Sequence, residues 1–285
     1  MAEFTPDPTA LKRDQRATWD DSAAGWNKWW PTFEHAAQKV SDRLVALAGV
    51  RAGARVLDIA TGNGEPAVTA ARVAGESGHV TGVDQSPGML AIARERAKAL
   101  GLKHLEFIES DAETMALPAA SFDACVCRWG LMFMPDLPAV LRTLHRALKP
   151  GAGFATAVWN SGDKVPMITL AADAVRNIAG LKPPPPGALE PTRLADTSIL
   201  KAALERTGFS SITIEPMMVT FEFASMAEFI AFRSEVGRAQ AMMTRLDPAT
   251  RGRVQAAIGE AAQTFQDTDG RVRLPNETIC FSARA

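Results

Sequence analysis

Apolar positions in this chain follow two periods in turn, and that alternation predicts its elements. Between residues 54 and 159, the short apolar runs "RVLDIA", "HVTGVD", "LEFIES", "DACVCRWG" and "GFATAVW" are separated by segments with helical spacing. Short apolar runs bounded by helical segments argue for a parallel sheet with helices on both faces. The helix after the second run has Ser86 to cap it, Pro87 in its first turn and Gly101 beyond its last apolar residue. Its residues Leu90, Ala93, Ala97 and Leu100 stand three or four apart and form one face. A second helix is predicted over about 136–149, with Leu137, Val140, Leu141, Leu144 and Leu148 as its stripe and "KPGAG" as its end.

Residues 15–50 read as helical and carry Trp19, Trp26, Trp29 and Trp30, with Phe33 close by. Beyond Trp159 the order changes. A helical stretch from about 164 to 180 leads into "KPPPPG", a stiff extended linker that cannot be helix. A helix near 196–207, a strand pair in "SSITIEPMMVTFEF", two helices over 226–266 and a closing strand "ETICFSARA" follow. The 226–266 helices interrupt the sheet order and carry Met242 and Met243 at positions that read as exposed, which predicts a cap over a pocket. Three segments result: a helical lid over 1–50, a ligand-binding core over 51–160, and the rest of the sheet with its cap over 161–285. No internal repeat is present.

Composition narrows the function. Net charge is -1 from 31 basic and 32 acidic residues, with no long basic run, which disfavours a nucleic-acid partner. No apolar run reaches the roughly 18 residues of a membrane span, and the polar start of the chain lacks the apolar stretch of a secretory signal. The cysteines, Cys125, Cys127 and Cys280, are too few for a disulfide framework, so a cytoplasmic location is expected. Cys125 and Cys127 share one face of a strand, but zinc would need two further ligands nearby, and they read as core thiols. Tyrosine is absent, which removes one common acid or base.

The chemistry begins at "VLDIATGNGEPA", residues 56–67, where Gly62, Gly64 and Ala67 have the spacing of a dinucleotide-binding turn. Asp84 ends the second strand about 20 residues on, where a carboxylate accepts both hydroxyls of a ribose. Asp58 does not fit a dinucleotide, unless it merely caps the loop or a helix N-terminus. Beside a pyrophosphate it would meet a repulsion of about 4 kcal/mol per charge pair at 4 Å under an effective dielectric near 20, whereas a cationic amine would be attracted.

With "VTGVDQSPGML", "ESDAETMALP", "FDACVCRWGLMFMPD" and "LKPGAGFATAVW" following in order, the chain resembles the class I S-adenosylmethionine-dependent methyltransferases, and most the ubiquinone/menaquinone-type small-molecule enzymes. The resemblance covers residues 15–160 strongly and 190–222 weakly, and leaves the cap region unmatched. It implies a Rossmann-like, doubly wound α/β fold: a mostly parallel seven-stranded sheet with N-terminal helices and a helical cap. It implies S-adenosyl-L-methionine as cofactor, with Asp58 and the backbone at Ala60, Gly62 and Gly64 holding the methionyl moiety. By the same resemblance Asp84, with Gln85 beside it, binds the ribose, Met89 lies on the adenine, and Asp111 and the backbone of Ala112 read the ring edge. The carbonyl of Arg128 meets the methionyl ammonium. Ala60 departs from the pattern, since many members carry glycine there.

An aromatic residue of the N-terminal helix covers the cofactor in this family, which implies Trp26 and Trp30 as the lid. Trp29, Phe33, Trp129, Met132, Phe133 and Trp159 would then line an apolar pocket suited to a flat or lipophilic small-molecule acceptor. No general base is evident. His35 is the one candidate, and His79, His104 and His145 fall away from the expected site. Carbon, nitrogen or sulfur is therefore expected as acceptor ahead of oxygen, although an acceptor near its own pKa also needs no base. Two rivals remain at this point, a non-catalytic S-adenosylmethionine sensor or scaffold and an NAD-dependent oxidoreductase. No metal is expected, and the oligomeric state stays open, a homodimer included.

Overall fold

The computed structural model describes residues 8–184 and 188–285. The last part of the "KPPPPG" linker, 185–187, lies outside the described residues. One long helix, α1 (Pro8–Leu47), precedes the alternating core of β1 (Arg55–Ile59), α2 (Ala67–Ala74), β2 (His79–Asp84), α3 (Pro87–Ala99), β3 (Leu105–Glu109) and β4 (Phe122–Arg128). Next come α4 (Leu137–Ala147), β5 (Leu148–Trp159), α5 (Pro166–Ala179), α6 (Thr197–Arg206) and β6 (Ser210–Phe223). The chain ends with α7 (Met226–Glu235), α8 (Gly237–Met243), α9 (Pro248–Ala262) and β7 (Val272–Arg284).

The seven strands form one sheet in the order β3-β2-β1-β4-β5-β7-β6. The first five are parallel, and β7 runs antiparallel to both β5 and β6. Strand order reverses between β1 and β4, and in such sheets the ligand crevice opens there, beyond the carboxyl ends of the strands. Val56, Leu57 and Ile59 of β1 and Ala124, Cys125, Val126 and Cys127 of β4 are fully buried, as expected of central strands covered on both faces. Ser86 caps α3 through Met89 N–H, and Asp136 caps α4 through Ala139 N–H.

Several expectations need correction. "SSITIEPMMVTFEF" is one strand rather than a pair. It lies at the sheet edge and pairs only with β7, so the N–H that Pro216 lacks is not missed. The 226–266 stretch holds three helices, because Val236 is extended and Gly237 takes φ +60 between α7 and α8. Met243 is buried rather than exposed, and Met242 faces the interior cavity. The N-terminal segment is a single helix with Pro31 inside it.

Helix α1 crosses the open end of the sheet. Its first half packs on α3, and its remainder packs on α7, α8 and strands β4 to β6. Gly25 allows the closest approach, since a Cβ there would stand 2.0 Å from the carbonyl oxygen of Glu235 at the end of α7. That obstacle is backbone and cannot rotate away. Gly25→Ala is therefore expected to destabilise the protein by about 1–3 kcal/mol, although alanine is the better helix former. Urea unfolding checks this, and a stabilised variant would contradict the packing.

Candidate functional site

The loop leaving β1 owes its shape to three alternate left-handed positions, Ala60 (φ 54), Gly62 (φ 54) and Gly64 (φ 98). Ala60 tolerates this partly because position 130 is glycine: a Cβ on Gly130 would come within 2.5 Å of Ala60 Cβ. A Cβ added at Gly62 would meet nothing, so the backbone there faces open space. That space is a cavity of about 480 Å³ at the carboxyl ends of the central strands. Ala60, Gly62, Asp84, Gln85, Met89, Asp111, Ala112, Arg128, Trp26 and Trp30 all line it. Asp58 and Gly64 do not.

Asp84 is tied to the loop from the next strand. Its Oδ2 accepts from Gly62 N–H at 2.9 Å and its Oδ1 from Ser86 N–H at 2.9 Å. Burial pushes its pKa up against these backbone donors. Asp111 accepts from Lys12 Nζ at 2.8 Å, and Lys12 also reaches Glu113 at 2.5 Å. Asp20 of α1 accepts from Ser86 Oγ at 2.8 Å and Gly88 N–H at 2.7 Å. Polar bonds from two positions on α1, Lys12 and Asp20, therefore fasten it across the segments that follow β2 and β3.

Deeper in, Arg128 at the end of β4 forms a bidentate pair with Glu34 of α1, at 2.8 and 2.9 Å. It also donates to Ser41 Oγ at 2.8 Å and to Ala37 O at 3.3 Å. Both partners are buried. Arg96 stacks its guanidinium 3.7 Å from the Trp30 ring centre and donates to Asn63 O, which holds Trp30 over the loop.

Asp58 stands behind the loop, not in the cavity wall. Its Oδ2 accepts from Thr61 Oγ at 2.6 Å and from Ala67 N–H at 2.9 Å, while Oδ1 is buried without a partner. The loop folds back over the strand end, so Asp58 braces it from below and caps the start of α2. The acid that reaches the cavity is Glu65, which sequence reasoning missed. Glu65 Oε2 is held by Thr69, and burial together with the nearby Glu34 carboxylate raises its pKa. Its position in "GNGEPA" was the available signal, but Asp58, Thr61 and Asn63 in the same turn could have filled that place.

The opposite end of the cavity is aromatic. Trp129 stacks on Trp159 with ring centres 4.2 Å apart, and Phe33 meets Trp129 edge-on at 5.7 Å. Trp129 is fixed by donation from its Nε1 to Thr278 Oγ at 2.9 Å. Phe133 also lines the cavity, with Trp19 of α1 packed on it at 5.3 Å. Two expected pocket residues lie elsewhere. Met132 is wholly buried outside the cavity wall, and Trp29 turns its Nε1 to Glu235 at 2.7 Å. His35 is exposed on α1 and lines no part of the cavity, because it falls on the face opposite Phe33 and Glu34. Residues of α5 and α8, including Met167, Ile168, Ala239 and Met242, complete the wall. Among the described residues no cluster suits a metal. Burial pushes the thiol of Cys127 up to about 12, in keeping with an inert core residue.

Burial also pushes the Asp58 carboxyl up to about 8, against the opposing pull of Thr61, Ala67 N–H and Arg128. The folded protein thus holds a proton that the unfolded chain releases near pH 4, so this contribution to stability is lost as pH rises towards and through 8. Asn at this position does not titrate. The melting temperature of wild type relative to Asp58→Asn should therefore fall between about pH 5 and 8 and level off above that, and a constant difference would contradict the raised value.

Residues 51–184 match the family model described as a methyltransferase domain. Over 133 residues the chain is 38% identical to the demethylmenaquinone methyltransferase of Listeria welshimeri, covering 44% of this chain and 56% of that protein. Over 112 residues it is 39% identical to the 2-phytyl-1,4-naphtoquinone methyltransferase of Synechococcus elongatus, covering 39% of this chain and 48% of that one. The chain thus spans about half the length of the curated relatives it matches. The phosphoethanolamine N-methyltransferase 2 of Haemonchus contortus shares the fold at a TM-score of 0.57 and 19% identity, over 90% of this chain and 57% of its own. Residues 51–184, just under half of the chain, thus resemble a methyltransferase domain, and the sheet order is that of the same fold.

Proposed function

We propose that the protein transfers a methyl group from S-adenosylmethionine to a small aromatic or lipophilic metabolite. The charge at the loop end of the cavity carries this reading. Glu65, Asp84 and Asp111 line that end, while its cations are already paired, Lys12 with Asp111 and Glu113 and Arg128 with Glu34. Among the described residues, a pyrophosphate at that end would face these carboxylates, and Lys12 and Arg128 are already engaged by acids. An amino-acid ammonium joined to a nucleoside finds acceptors along its length.

The residues fit such a donor. The open face of Gly62 admits close backbone approach, and Asp84 beside it is placed for ribose hydroxyls. Glu65 takes the ammonium, the role first expected of Asp58, while Asp58 holds the loop from behind. Met89 packs on the adenine, where a polarizable thioether suits an aromatic ring, and Asp111 with Ala112 reads its edge. Residues 8–47 act as the lid through Trp26 and Trp30, and the helices within 226–266 act as the cap. When bound, the donor supplies a methyl group on a positively charged sulfur.

The chain's contribution is position and dryness. The Trp129–Trp159 stack and Phe33 hold a flat acceptor against the loop, and α1, α5 and α8 exclude water. Fixed near-attack geometry of this kind can supply about 7–11 kcal/mol of the barrier. Among the described residues no histidine lines the cavity, and its Glu113 and Glu190 are held in ion pairs. The acceptor atom must then arrive nucleophilic: carbon, nitrogen, sulfur or an oxygen already ionised. The two curated relatives are named for quinone substrates, flat rings of the kind the aromatic wall suits.

Calorimetric titration should show binding of S-adenosylhomocysteine and none of NADH, and the reverse would overturn the reading. Asp84→Ala should weaken S-adenosylhomocysteine by roughly 1.5–3 kcal/mol, about 10- to 150-fold, through loss of charged hydrogen bonds. An unchanged dissociation constant would remove Asp84 from the ribose role.

A further inference from the structure

One charged group in the cavity wall has no counterpart. Arg233 of α7 is 7% exposed, and its Nε is buried without a hydrogen-bond partner. Among the described residues it makes no ion pair, and its guanidinium lies over the Phe232 ring at 5.5 Å from the centre, a cation–π contact that supplies no negative charge. The neighbouring cations differ. Arg238 is paired with Glu190 at 2.7 Å and Arg176 with Asp173 at 2.5 Å. Burial alone, with no acid opposing it, lowers the Arg233 pKa to about 10. A buried cation without a partner costs stability and returns none within the fold.

We propose that Arg233 is the anchor for a carboxylate on the acceptor, so that the substrate is an aromatic or lipophilic acid. This rests on the methyltransferase reading of the same cavity. A planar guanidinium with free donors matches a carboxylate in bidentate fashion. One unpaired arginine balances one negative charge, and Glu190 beside Arg238 would oppose a doubly charged phosphate. The apolar body of the acid then lies along Phe33 and the Trp129–Trp159 stack, which carry no charge to compete for it. Arg233 acts here as a specificity-determining residue, holding the acceptor through a group it reads directly.

The test uses the full chain saturated with S-adenosylhomocysteine and three matched probe pairs: benzoate and benzamide, 2-naphthoate and 2-naphthamide, decanoate and decanamide. Affinity is read by calorimetry. At least one acid should bind wild type tenfold or more tightly than its amide. Arg233→Met should abolish that preference, Arg233→Lys should keep part of it, and S-adenosylhomocysteine affinity should stay the same in both. Without ligand, Arg233→Met should melt at or above wild type, since it removes an unpaired buried charge. The proposal is overturned if no acid is preferred, if the preference survives Arg233→Met, or if Arg233→Met melts below wild type while Arg233→Lys does not. Failure of wild type to bind S-adenosylhomocysteine would instead count against the methyltransferase reading.

Discussion

The buried pair between Glu34 and Arg128 joins the two parts of the molecule that make the site. One partner lies midway along α1 and the other at the last residue of β4, beside the switch point of the sheet. The fork of the guanidinium meets both carboxylate oxygens, and Ser41 Oγ and Ala37 O accept further bonds from one of its nitrogens. Geometry of this quality is needed before a buried pair offsets its desolvation, and loss of either partner would leave an uncompensated charge costing about 3–5 kcal/mol. With the pair in place, α1 lies over the loop after β1, and Trp26, Trp30 and Phe33 reach the cavity.

Charge divides the cavity into two ends. Around Gly62, acids face the open space and the cations are consumed by partners on α1 or in the following loops. Around the aromatic stack the wall is mostly apolar, and Arg233 is the buried cation there without a partner. A cationic donor and an anionic, flat acceptor would therefore enter the same space with opposite preferences. Asp58 stands behind the loop rather than in the cavity wall, and in the proposed reading Glu65, which lines the cavity, takes the ammonium in its place.

Much of the core was legible from pattern alone. The runs at "RVLDIA", "HVTGVD" and "DACVCRWG" became β1, β2 and β4 because continuous apolar stretches suit strands covered on both faces. Ser86, Pro87 and Gly101 bounded α3 as local chemistry requires, and the spacing from Gly62 to Asp84 became a hydrogen bond of 2.9 Å. Methionines 242 and 243 were read less well, because seven-residue α8 is too short for periodicity to tell a cavity face from a solvent face. The edge strand β6 was read as two strands, and only sheet order shows that Pro216 sits at the sheet edge, where no partner strand needs its N–H.

Sequence by itself determined the alternating core, the glycine turn with its following acid, the aromatic character of the pocket and the absence of a tyrosine base. Those features depend on residues near one another in the chain, where propensity, spacing and side-chain chemistry act directly. Only tertiary structure decided which acid faces the cavity, that Trp29 and His35 point away from it while Trp26 and Phe33 point in, and that Arg233 is left unpaired. Each of these depends on groups distant in sequence brought within hydrogen-bond range, as Glu34 is with Arg128 and Lys12 with Asp111. Spacing along the chain carries no record of such distances.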